Sequence, residues 1–193
     1  MTIALQKVSA TTAEEVCARF ELGEDAAALL LPGVPPGAFL DQLISASLLN
    51  DAVQFLAYAL PAHEGVWWSC VCVRSELGPG TPPPAVAALL AAEAWALKPD
   101  EDSRRAAGAA GDATEMDNGA SWAAMGAFWS GGSMVRPDLP PVEPTPDLTP
   151  KAVFAAVTFA GHEKDPSSAD ARFQEYLTRG IDLANGGTGH APE

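Results

Sequence analysis

Along most of the chain apolar residues recur three and four positions apart, while sustained alternation at two is nearly absent, so the pattern predicts an all-α protein of short helices. Thr11 or Thr12 can cap a first helix running through Val16 to Phe20, with Glu14 and Glu15 in the first turn, where carboxylates suit the positive end of the helix dipole. Residues 25–31 add a turn or two, and Pro32, Pro35 and Pro36 punctuate the next link. Phe39, Leu40, Leu43, Ile44 and Leu48 mark one stripe of a helix that exits near Asn50. Asp51 and Gln54 then have capping-box spacing ahead of Ala52, Phe55, Leu56, Ala59 and Leu60. Residues 66–73 have the aromatic and β-branched content of a strand. With no convincing partner strand elsewhere, and Gly78 as a stop, they read as helix.

Thr81 and Pro82 have the cap-then-proline form that opens a helix, with Val86, Leu89, Leu90, Ala94 and Leu97 on one side and Pro99 beyond its end. Residues 100–110 read as a short polar helix containing Arg104 and Arg105, and Gly108, Gly111 and 112–119 as a loop. Trp122, Met125, Phe128 and Trp129 return to helical spacing up to Gly131 and Gly132. Residues 134–150 hold too many prolines for a helix and read as an extended strap across the helices. Thr149 and Pro150 repeat the cap-then-proline form for a helix through Val153, Phe154, Val157 and Ala160. Ser167 or Ser168 opens a last helix bearing Phe173, Tyr176, Leu177, Ile181 and Ala184, which Gly186 and Gly187 end. No repeat signature recurs at a fixed period. The expectation is one helical domain over 1–193, a bundle or irregular array of helix pairs, with 1–10 and 187–193 as flexible ends and 134–150 as the strap.

Composition narrows the function. Eleven Lys and Arg against 25 Asp and Glu give a net charge of -14, which starves a nucleic-acid or anionic-membrane surface of the basic patch it needs. No run of apolar residues is long enough to span a bilayer, and the first residues lack a cationic and apolar leader, so a cytoplasmic location is expected. Cys17, Cys70 and Cys72 are too few for a disulfide framework or a four-ligand zinc site.

No motif brings catalytic chemistry with it. His63 precedes Glu64 and His162 precedes Glu163, but neither pair has the second histidine that a zinc-protease helix places four residues on. Acidic neighbours around Cys17 oppose a nucleophilic thiolate. Cys70 and Cys72 share a face only in a strand, so in a helix they read as small buried residues. The glycine-rich segments 130–133 and 186–189 lack the Lys and Ser or Thr of a phosphate loop and read as helix stops. Neither a cofactor nor a metal is expected. Of the five tryptophans, Trp67, Trp95 and Trp122 read as core anchors. Trp68 and Trp129, with Met134 beyond them, are the candidate partner-binding residues.

Several segments together resemble a known set of motifs: Asp51-Ala52-Val53 leading to Leu60-Pro61, the Trp67-Trp68-Ser69-Cys70 segment, Ala91 to Trp95, Trp129-Ser130-Gly131-Gly132-Ser133-Met134, Pro140-Pro141-Val142, and Leu148 to Val153. In that order they resemble an uncharacterised bacterial family, over about residues 50–185. Its members often carry the label of twin-arginine translocation signal proteins and are frequently encoded in type VI secretion gene clusters. Arg104 and Arg105 are internal and followed by Ala-Ala-Gly, unlike a working export signal. The resemblance implies a context: a non-enzymatic cytoplasmic adaptor or accessory protein that binds a secretion component or effector. The alternatives are an immunity protein that neutralises a toxin, and an enzyme with a site near His63, Glu64 and Cys70.

Overall fold

The computed structural model describes residues 3–190; the parts of the expected flexible ends at 1–2 and 191–193 lie outside the described residues. Among the described residues ten α-helices follow one another: α1 (Ala13–Cys17), α2 (Glu24–Leu29), α3 (Pro36–Ser45), α4 (Leu49–Ala59), α5 (Ala62–Glu76), α6 (Pro83–Leu97), α7 (Glu101–Asp112), α8 (Gly119–Phe128), α9 (Leu148–His162) and, after a 3-10 turn at Pro166–Ser168, α10 (Ala169–Ala184). No strand occurs among the described residues, and the protein is all-α. Residues 66–73 lie inside α5, as their lack of a partner strand demanded.

By their contacts the helices group into two compact units. One is drawn from the stretches before Ala62 and after Lys164, the other spans Ala62–Lys164, and neither boundary falls in the 134–150 strap. In the two-ended unit α4 packs against α1, α3 and α10. Phe39, Leu40, Leu43, Phe55, Leu56 and Leu177 are buried there, and the Phe39 and Phe55 rings meet edge to face at 5.1 Å. Part of the expected flexible ends is tied down: Lys7 N donates to Ala184 O (2.8 Å), Asn185 Nδ2 to Ala4 O (2.8 Å), and Gly189 N to Asp182 Oδ2 (2.9 Å). The first satisfies the Ala184 carbonyl in the last turn of α10, the first two hold the N-terminal stretch against that end, and the third ties Gly189 back to α10.

In the Ala62–Lys164 unit α8 is the central helix, touching α5, α6, α7 and α9. A helix with four neighbours has no polar face to show, and Ala120, Ala123, Ala124, Met125, Gly126 and Ala127 are all buried. The small side chains let the other axes come close. Gly108 and Gly111, expected in a loop, lie within α7 and are there for this contact. A methyl at Gly108 would stand 2.6 Å from the Phe128 ring, and one at Gly111 2.9 Å from Met125 Sδ.

Three expected caps act elsewhere. Leu48 N reaches back to Leu43 O across a turn with Ser47 at φ 59°, so α4 starts before Asp51, whose carboxylate instead accepts from Gly23 N at 2.9 Å. Thr81 accepts from Gly78 N at 3.0 Å, leaving Pro82 at the cap of α6. Thr149 sits inside the first turn of α9 and donates to Gly126 O at 3.1 Å, tying α9 to α8. Caps do form at Thr12, Asp100 and Asn118. The stripe expected on α6 is also rotated: Ala85, Ala88, Leu89, Ala92, Trp95 and Ala96 are buried, while Leu90 is 53% and Leu97 76% exposed.

Candidate functional site

The densest polar arrangement forms where α7 meets the end of α8. Glu101, Arg104 and Arg105 share one face of α7 at spacings of three and four. The Arg104 side chain is 5% exposed. Its Nε and Nη2 donate to the two Glu101 oxygens at 2.7 and 2.9 Å, Nη1 donates to Phe128 O at 2.6 Å, and Nη2 also reaches Ser133 O at 2.9 Å. Its guanidinium lies 4.9 Å from the Phe128 ring centroid. Arg105, 30% exposed, donates to Glu101 at 2.6 Å and to Val135 O at 3.1 Å. Hydrogen bonds from Arg104 foremost, with Arg105 adding, hold the Glu101 carboxyl at about 2 against the upward pull of its partial burial.

Both arginines hold the chain that leaves α8. Gly132, at φ 64°, takes a left-handed conformation, and a Cβ on it would lie 3.1 Å from Arg104 Nη2. Ser133 Oγ accepts from Val135 N (3.3 Å) and Val142 N (3.2 Å), and Met134 N donates to Val142 O (2.8 Å). Residues 133–142 therefore close into a loop fastened at its base, with Leu139 46% and Val142 48% exposed. The first part of the expected strap is this loop.

The candidate residues fall in different places. Trp68 is fully buried, at 0%, whereas Trp67 was expected in the core and is half-buried. α5 buries Trp68 and each residue from there to Val73, and Trp67 lies at the margin of that wide face. Trp68 thus offers no surface to a partner. Trp129 is half-buried at the cap of α8, 6.4 Å from the Trp122 ring, and Met134 is half-buried at the base of the loop. Trp129 and Met134 therefore both keep some exposed surface, and Trp68 keeps none. Arg104 was missed by sequence reasoning, because a charged residue on a polar helix carries no mark of burial; only the small residues at 106–111 hint that this helix is closely packed.

His63 and Cys70 do not form a pair. The His63 ring is half exposed, with Nε2 2.6 Å from Ala96 O and its centroid 6.0 Å from that of Trp95. Cys70 is fully buried, and burial foremost, then the Glu93 carboxylate, pushes its thiol far up. Burial, then Glu14, also raises the Cys17 thiol, to about 11. Among the described residues no group of three or more His, Cys, Asp or Glu is placed to hold a metal ion, and no helix is long and apolar enough to cross a membrane.

A cavity of about 400 Å³ opens between the end of α5, the start of α6, the entry to α8 and the end of α9. Val73, Leu77, Ala85 and Ala160 give it apolar walls. The Glu76 side chain, 10% exposed, faces Lys164, 54% exposed, with Oε2 and Nζ 3.1 Å apart. His63 and Cys70 are not among its lining residues.

Comparison with curated proteins and with solved structures finds no match. The model of a family of unknown function, DUF6931, matches residues 39–184, a span that takes in α4 to α10 and every residue of the Arg104 cluster, and the chain belongs to that family.

Proposed function

We propose that the protein is a non-enzymatic cytoplasmic adaptor or accessory protein whose partner is another protein, a type VI secretion component or effector. The observation that supports this reading is the 133–142 loop, which Arg104 and Arg105 fasten while Leu139 and Val142 stand exposed. A loop ordered before binding loses less conformational freedom on docking, and its apolar side chains supply contact area. Met134, whose N–H donates to Val142 O, is part of the base of this loop. The net charge of -14 favours a basic partner and speeds encounter at low salt. The secretion context comes from the motif resemblance.

The test is affinity capture by the tagged full-length protein from its native host at low and moderate salt, with bound proteins identified by mass spectrometry. A secretion component or effector is expected, and it should be lost from the doubly substituted Leu139→Asp, Val142→Asp protein, whose melting temperature stays near that of the wild type. Capture of the same proteins by the double variant would remove the loop from the reading. Recovery of a basic toxin in place of a secretion component would make the protein an immunity protein.

A further inference from the structure

We propose that the cavity between α5, α6, α8 and α9 is a binding site for a primary alkylammonium group, with Glu76 as its counter-charge and Lys164 as a resident competitor. A volume of about 400 Å³ falls within the roughly 300–1,000 Å³ of small-molecule sites, and the mix of apolar walls with a few polar groups fits that class. The walls set the sign of the ligand. Glu76, Asp117 and Glu163 line the cavity against the ammonium of Lys164, so the side chains leave a net negative charge. Two helix N-termini, of α6 and α8, and two C-termini, of α5 and α9, border the space, so their dipoles largely cancel and the side chains decide.

Glu76 is the carboxylate that already holds a cation here, the Lys164 ammonium at 3.1 Å, beside the Ser75 hydroxyl that donates to its Oε1 at 3.2 Å. It is the last residue of α5, where the helix dipole disfavours a carboxylate, and its side chain is only 10% exposed. Lys164 supplies the charge from outside: its side chain is 54% exposed, beyond the end of α9, so the ammonium can swing into water with little loss of packing. A ligand ammonium could take its place at Glu76 Oε2 while its alkyl stem lies along Val73, Leu77 and Ala160. The shared chemistry has two sources, a free alkylamine or the lysine side chain of a bound protein. This proposal does not rest on the partner-binding reading, whose loop is not part of the cavity.

The test is a titration of the full-length protein with 1,5-diaminopentane, followed by amide resonances and calorimetry, with 1-pentanol as the neutral control. Saturable binding is expected, with shifts at Gly78, Gly80 and Gly119 and none with the alcohol. Glu76→Gln should weaken binding about tenfold, and Lys164→Ala should tighten it several-fold by removing the competing ammonium. The opposite sign at Lys164 separates a site from a structural ion pair, since loss of a purely structural pair would not raise affinity. A second titration with N-acetyl-lysine amide identifies the source: binding as tight as the diamine points to a protein lysine, much weaker binding to a free amine. No saturable binding of the diamine to either the wild type or Lys164→Ala, or tighter binding absent in the latter, would overturn the proposal.

Discussion

Arg104 brings its charge into a place 5% exposed, where Glu101, the carbonyl ending α8 and the Ser133 carbonyl converge on one guanidinium. A planar group with five donors makes these four bonds at once, whereas a lysine carries three donors on a single nitrogen. Arg105, one residue on, makes similar bonds from a more exposed position. The two should therefore differ in weight. Arg104→Met is expected to destabilise the protein by about 3 kcal/mol, because Phe128 O loses the Arg104 donor and Ser133 O keeps only the longer bond from Arg105 Nη2 (3.4 Å) in a site with little water. Arg105→Met should cost under about 1 kcal/mol, as solvent replaces its bonds. Urea unfolding of the two variants beside the wild type measures both values, and equal losses would contradict the burial difference.

At the scale of the helix, spacing says that a helix forms but not always how it is turned. For α5 the absence of a partner strand outweighed strand-like composition, and the helix formed. For α6 the larger leucines drew the expected stripe, while the structure buries Ala85, Ala88 and Ala92 beside Leu89 and Trp95. Alanine suits that face because a short side chain lets α8 approach, a reason that exists only once α8 is in place. Leu89→Ala should then cost about 2–5 kcal/mol, and Leu90→Asp only a few tenths, as read from urea midpoints; the reverse order would mean the stripe faces the other way. Capping was legible at Thr12, while the caps at Asp100 and Asn118 form at residues that the sequence pattern places inside a polar helix and a loop. It failed at Asp51, Thr81 and Thr149, each of which hydrogen-bonds elsewhere. Site residues followed the same rule. The choice between Trp67 and Trp68 needs the helix's rotation, and the burial of Arg104 needs the carbonyl that α8 presents to it.

At the scale of the whole chain, the Ala62–Lys164 unit is one continuous stretch with its own central helix, whereas the other unit needs both ends of the chain. Residues 62–164 expressed alone should stay helical and melt in one cooperative step by circular dichroism. Residues 1–61 alone should not, because α10 is missing from the face of α4 that it covers. A non-cooperative melt of 62–164 would refute the division.

That division also sets an order of events during synthesis. The ribosome releases α4 long before α10 exists, and at about 5–20 residues per second the delay is on the order of 10 s. For that interval α4 lacks the helix that packs on it, a nascent-chain window in which a chaperone that grips exposed apolar segments would find its target.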